Sequence, residues 1–339
     1  MTNMLFAPII MRGLSIPNRI TVSPMCQYSA ENGVVGDWHL AHLGQFAQSG
    51  PGLIIVESTG VEPEGRITSG CAGLYDDVTE NAFARIVEFI KSVGDSRIGI
   101  QLGHSGRKGS TLVPWEGGGL IESPDAWLPL APSAVEYLPG WPPPIAMDVA
   151  ALNRVRDAFV QAAMRADRAG FDLIELHVGH GYLLHQFLSP ITNQRTDGYG
   201  GSSAARMRYP LEIFEAVRAE LPPDKPVMVR VSVTDWIEGG WDISQSIHFC
   251  RALNQLGCDM IDVTSGGLDQ RQKITTGPGY QVKMSETIRL KAEISTMAVG
   301  QITDPIQAET ILSTGQADMV ALARGMLWEP RWAWKAAVA

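Results

Sequence analysis

Short apolar runs alternate along the chain with longer stretches whose apolar positions recur at helical spacing. The runs at 20–25, 52–58, 97–102, 171–178, 226–233, 260–264, 296–301 and 318–323 are close to continuously hydrophobic. That pattern belongs to parallel strands covered on both faces, and it predicts eight of them. Helical patterns fill the intervals at 38–48, 79–93, 148–169, 202–220, 244–256, 285–293 and 304–313. Asp37, Asp148 and Asp304 stand where helix N-caps belong, and Gly50, Gly94, Gly170, Gly257 and Gly315 where helices end. Strand–helix units in this number, with no linker between them, predict a single (β/α)8 barrel domain over 1–339, with a doubly wound sheet as the alternative. Ahead of them, 5–20 turns at Pro8, Arg12–Gly13 and Pro17–Asn18 and reads as a short hairpin capping one end.

One connection is far too long. After the third strand, 103–147 runs for about 45 residues rich in Gly, Pro and Trp, where a handful is usual. Trp115, Trp127 and Trp141 are costly to leave in water, so the segment is expected to form a lid or pocket wall over the carboxyl ends of the strands.

Composition narrows the function classes. The 339 residues are 45% hydrophobic and 19% charged, enough to bury a large core. A net charge of -9 argues against nucleic-acid and anionic-membrane partners. Cys26, Cys71, Cys250 and Cys258 make no CxxC pair and no zinc spacing, which suits a reducing cytoplasm. The N-terminus carries no signal-peptide pattern, and no apolar run approaches membrane-spanning length. A cytoplasmic location is therefore expected.

Chemistry in α/β barrels sits at the carboxyl ends of the strands. The densest such end is 172–182, DLIELHVGHGY, which delivers His177, His180 and Tyr182 from one buried strand. The other ends supply Ser23, Pro24, Met25, Cys26, Gln27 and Tyr28; Glu57 and Ser58; Gln101, then His104 and Lys108; Arg230; Thr264; Gly300; and Ala323 with Arg324. Arg230 lies within an apolar strand, so its charge must meet either a ligand or a partner such as Glu175. The small residues and Arg324 after the last two strands suit a phosphate, though Arg324 could also be a surface residue. No GxGxxG follows a strand and there is no Walker loop, so a redox cofactor must sit in the barrel mouth itself, which points to a flavin mononucleotide. The pairs His39/His42 and His177/His180 lack the acidic or HxH partners of a barrel metal site, and no metal is expected.

The stretches SPMCQYSA (23–30), WHLAHLGQFA (38–47), GLIIVESTGVEPEGRIT (52–68), IGIQLGHSGRKG (98–109), VMVRVSVTDW (227–236), GPGYQV (277–282), MAVGQITDP (297–305) and above all HxxHGYLLHxFLSPxxNxRxDxYGG (177–201) resemble the Old Yellow Enzyme family. Within it, the likeness is to the thermophilic-like, cysteine-containing class of FMN-dependent ene-reductases. The resemblance covers nearly the whole chain. It implies that Ser23, Pro24, Met25, Ser58 and Gln101 line the flavin ring, with Arg230 near its N1/C2 carbonyl edge. Gly300, Ala323 and Arg324 would hold the phosphate, and Cys26 would modulate the potential. His177 and His180 would donate to a substrate oxygen, Tyr28 would touch the same end, and Tyr182 would supply a proton. NADPH or NADH would be the reductant and an activated alkene the substrate, in a ping-pong reaction. Relatives often carry Gly at position 323. Relatives of this class also usually continue beyond WEPRWAWKAAVA into a tail whose arginine reaches a neighbouring subunit, within a homo-oligomer (dimer or tetramer). A flavin-free barrel lyase or aldolase using Lys108 is the competing class. Its weakness is that a lysine in a polar loop has little to depress its pKa.

Overall fold

The computed structural model describes residues 3–338. A hairpin of β1 (Ile9–Met11) and β2 (Leu14–Ile16) precedes β3 (Ile20–Val22), β4 (Leu53–Gly60) and β5 (Arg97–Gly103). The long connection holds β6 (Leu130–Ala131) and β7 (Ile145–Ala146), and β8 (Leu173–Val178), β9 (Val227–Ser232), β10 (Ile261–Thr264), β11 (Thr296–Val299) and β12 (Met319–Leu322) follow. Eight of these, in the order β3-β4-β5-β8-β9-β10-β11-β12, close into a barrel, and each neighbouring pair is parallel. The (β/α)8 expectation holds and the doubly wound alternative falls.

Around the barrel run α1 (Asp37–Ala47), α2 (Asp77–Val93), α3 (Val149–Arg168), α4 (Leu183–Leu188), α5 (Ser203–Glu220), α6 (Ile243–Gln255), α7 (Val282–Ala292), α8 (Pro305–Ser313), α9 (Arg324–Trp328) and α10 (Trp332–Val338). Helix α2 shows why they form. Phe83, Ile86, Val87 and Ile90 make one buried stripe, and Asp76 caps it by accepting from Thr79 N at 2.8 Å. Asp148 and Asp304 cap α3 and α8 as expected. Asp37 does not: Gly36 is the N-cap of α1, and Asp37 is the first helical residue. Gly170, Gly257 and Gly315 leave their helices with φ of 90°, 89° and 73°. Gly94 ends α2 in an extended conformation, and Gly50 follows a further turn.

Three departures bear on the site. The first strand was expected to reach 25 but leaves the ladder after Val22. Ser23 N makes a last bond to Leu322 O, and the next residues run towards the mouth. The sequence pattern missed α4, α9 and α10, which are too short for a hydrophobic period to declare itself. The segment 103–147 is tied down by the β6–β7 pair and by short 3-10 turns. Contrary to the argument from tryptophan burial, Trp115 is 67% exposed.

The hairpin closes the amino end of the barrel. Met11 and Ile16 pack there with Leu53, Leu173, Met228, Met260, Met297 and Met319, an apolar plug made from the first residues of the strands. No helix among the described residues is long and apolar enough to cross a membrane.

Candidate active site

The open carboxyl end has the opposite character. Glu175, His177, Arg230 and Asp262 are all at least nine-tenths buried on the adjacent strands β8, β9 and β10. Arg230 meets Asp262 rather than Glu175: its Nε lies 3.2 Å from Asp262 Oδ2, and its Nη1 donates to Ser23 Oγ at 3.1 Å. Glu175 instead accepts from Gln101 Nε2 at 2.7 Å. Arg230 thus pairs with one carboxyl and acts on the other only through its charge, within one buried polar cluster. Burial, and then Asp262, push the Glu175 carboxyl up to about 8. Glu175 Oε2 and Asp262 Oδ1 have no partner in the protein, and Arg230 Nε and Asp262 Oδ2 have only their ion pair with each other. Orphaned buried polar atoms at a strand end ask for a ligand.

Above this cluster lies the histidine pair. Residues 180 and 181 both take positive φ, 54° and 74°, turning the chain sharply after β8. A Cβ on Gly181 would lie 2.3 Å from Gly267 O, so only glycine fits there. The long motif after β8 is mostly scaffold for this turn. Gly181 N donates to His185 Nδ1 at 2.9 Å, His185 Nε2 meets Asp235 at 2.9 Å, and Gln186 Nε2 donates to Gly181 O at 2.7 Å.

His177 Nε2 and His180 Nδ1 are 3.3 Å apart, and His180 Nε2 lies 2.9 Å from Thr264 Oγ1. Burial first, then the charge of Arg230, hold both imidazoles well below the usual histidine range, so both are neutral. A neutral imidazole carries one N–H. While the two rings bond to each other, only one of the outward nitrogens, His177 Nδ1 or His180 Nε2, bears a proton. His177 Nδ1 has no partner in the protein. The Tyr182 ring stands edge-on to His177 at 5.1 Å, and burial pushes its phenol well above the ordinary value, so it stays protonated.

Lys108 corrects the sequence reading. Its Nζ donates to His180 O at 2.8 Å and Gly267 O at 3.0 Å and lies 4.9 Å from the Tyr182 ring centre. Burial, then Arg107, lowers it to about 8. The two carbonyls hold it as an ammonium and occupy the nitrogen that a Schiff base would need, so the lyase reading gains nothing from the lowered value.

The remaining expected residues ring the mouth. Pro24, Met25, Cys26, Tyr28, Ser58, His180, Tyr182, Gly300 and Ala323 are partly exposed, whereas Ser23 and Gln101 are buried beneath them. The segment after β3 is held from below by Glu57, which accepts from Gln27 N at 3.0 Å and pairs with His39 at 3.1 Å. Gly300, Ala323 and the exposed Arg324 follow β11 and β12. β12 stands four places from β8 in the closed ring, so these residues face the histidines across the mouth. Asp262 went unnoticed as a site residue because it is one polar position inside an apolar run, and only strand pairing shows what it meets. Among the described residues no group of His, Cys, Asp and Glu side chains is arranged to hold a metal.

A closed parallel barrel with a polar, partly unsatisfied mouth defines an α/β barrel with a ligand site at the carboxyl ends of its strands, and comparison with known proteins narrows it. The family described as "NADH:flavin oxidoreductase / NADH oxidase family" matches residues 4–338. The chain belongs to this family, that of Old Yellow Enzyme, and is an FMN-dependent oxidoreductase with NAD(P)H as reductant. It is 42% identical over 339 residues to an NADPH dehydrogenase of Bacillus subtilis (strain 168), covering 99% of this chain and 95% of that one. It is 41% identical over 344 residues to an NADH:flavin oxidoreductase of Gibberella zeae, covering 96% of this chain and 83% of that one. Its fold matches morphinone reductase with a TM-score of 0.82 at 29% identity, over 98% of this chain and 89% of that one. The mouth fits a flavin mononucleotide: a buried cation, Arg230, lies at one end among unpartnered polar atoms of its neighbours, and small residues with an arginine lie at the other.

Proposed function

We propose that the protein reduces C=C bonds activated by an adjacent carbonyl, imide or nitro group, with NAD(P)H and the alkene occupying the same mouth in turn. The observation that carries this is the hydrogen-bonded, neutral His177/His180 pair at the mouth with the protonated Tyr182 phenol against it. FMN, when bound, would supply the two-electron redox chemistry between NAD(P)H and the alkene. Ser23, Pro24, Met25, Cys26, Ser58 and Gln101 would line its ring, Arg230 would face the edge that gains negative charge, and Gly300, Ala323 and Arg324 would hold its phosphate.

His177 and His180 bind the substrate oxygen, and Tyr28 touches the same end. With the rings bonded, the one spare N–H is at the buried His177 Nδ1, or at His180 Nε2, where Thr264 Oγ1 stands 2.9 Å away. A second N–H requires the bond between the rings to open, so the oxygen that accumulates charge draws the pair apart. Tyr182 then gives its proton to the α-carbon, and its high pKa is no obstacle, because hydride transfer has made that carbon strongly basic. The lack of a separate nucleotide-binding fingerprint follows from the shared mouth.

Purified protein should be yellow and release FMN on denaturation. Anaerobically reduced holoenzyme, mixed with enones, maleimides and nitroalkenes, should regain its oxidised flavin spectrum and yield the saturated products. If none of these reoxidises it while quinones or oxygen do, the alkene reading is wrong.

A further inference from the structure

Cysteine 71 looked unremarkable in the sequence, with no partner at any telling spacing. The fold places it against Cys26. The segment 26–30 after β3 and the segment 68–71 after β4 lie on each other: Ala30 N donates to Gly70 O at 2.9 Å, and a Cβ on Gly70 would stand 2.5 Å from Tyr28 O. The Cys26 and Cys71 side chains are brought close enough to influence each other, and both thiols are free. Cys71 Sγ also accepts from Thr68 N at 3.4 Å and lies 3.3 Å from Thr68 Oγ1. Cys71 is buried, whereas Cys26 is partly exposed at the mouth.

We propose that Cys26 and Cys71 form an oxidisable dithiol at the substrate end of the mouth, which hydrogen peroxide or an organic hydroperoxide closes to a disulfide and small thiols reopen. Donors gathered on one sulfur are what a reactive thiol needs. The Cys26 thiol and Thr68 hold Cys71 below the ordinary thiol value, while the Cys71 sulfur and then burial push Cys26 up. In the reaction one sulfur attacks a peroxide oxygen, the O–O bond breaks, and a sulfenic acid and water (or the alcohol) form. The other sulfur then displaces the sulfenic oxygen as water. The two thiols lose two electrons and two protons in all, and the peroxide takes them up. The bond would lock 26–28 to 68–71 and so fix Tyr28 in the pocket wall. Cys250 and Cys258 provide an internal control: burial pushes both thiols up, and they should be inert.

The test uses the holoenzyme, treated with hydrogen peroxide, then denatured with N-ethylmaleimide, digested and weighed. Cys26 and Cys71 should lose alkylation together and appear in one linked peptide pair, lighter by two hydrogens and restored by dithiothreitol, while Cys250 and Cys258 stay alkylated. In Cys71→Ser, which keeps the site's size, Cys26 should instead gain two oxygens as a sulfinic acid that dithiothreitol does not reverse. Four results overturn the proposal: wild-type Cys26 gaining oxygens while Cys71 remains alkylatable; linkage to another cysteine; linkage between chains; and no loss of either thiol. The readout is a mass, so it is independent of whether alkenes are the substrates.

Discussion

The two ends of the barrel are built from the same strands and obey opposite rules. At the amino end, Leu53, Leu173, Met228, Met260, Met297 and Met319 meet the hairpin residues Met11 and Ile16 in a wholly apolar plug. A few residues further along, those strands present Glu175, His177, Arg230 and Asp262, with polar atoms left unpartnered in the interior. The first end is satisfied by packing alone. The second carries desolvated charge that a ligand must complete, and buried unpaired groups of this kind cost stability. Stability and chemistry are thus separated along the strand axis by a few residues.

Substitutions at the two ends should therefore differ in kind. The largest effect on turnover is expected at Tyr182. Tyr182→Phe should leave flavin reduction by NAD(P)H nearly unchanged and slow enone reduction by about 10²–10⁴, the usual worth of a positioned acid. Nitroalkenes should suffer less, because a nitronate can wait for solvent. Stopped-flow half-reactions measure both, and equal losses would remove Tyr182 from the proton-donor role.

Next come the histidines. His177→Ala and His180→Ala should each slow reoxidation by an enone about 10²–10³-fold, the worth of one oxyanion donor. Because the rings share a hydrogen bond, the double variant should cost little beyond the worse single one. Additive losses would show that the rings act separately.

A smaller effect is expected at Glu175, whose carboxyl binds a proton more readily folded than unfolded. Its contribution to stability is complete below the ordinary carboxylate range and is lost as pH rises to about 8. Glu175→Gln keeps the shape and removes that titration. The melting temperature of the flavin-free variant should fall less steeply than the wild type's between about pH 5 and pH 8. Parallel curves would mean that Asp262 carries the proton instead.

Met297→Ala should change turnover least. It opens a cavity in the apolar plug and should cost about 2–5 kcal/mol of stability in denaturant titrations. The rate per bound FMN should stay at the wild-type level. A slowed half-reaction would show that the two ends are coupled.

How far the sequence was legible follows from period and length. Runs such as 171–178 and 226–233 are mostly apolar because both faces of a barrel strand are covered, and that signal survives without knowledge of partners. The turn after β8 was readable too, since its glycines and histidines are contiguous in the chain. Short elements were not: α4 and α9 hold too few residues for a hydrophobic period. Lys108 was misread because its neighbours in sequence are polar, while its neighbours in space are Tyr182, Tyr137 and two carbonyls.

By itself, then, the sequence determined the barrel, the end at which chemistry lies and the side chains delivered there, because strand alternation and turn residues are local properties. Tertiary structure alone decided the pairings: Arg230 with Asp262 rather than Glu175, His177 with His180, and Cys26 with Cys71. Closing eight strands into a ring sets the register between segments far apart in the chain. A buried group's protonation then depends on what that register places within a few ångströms of it.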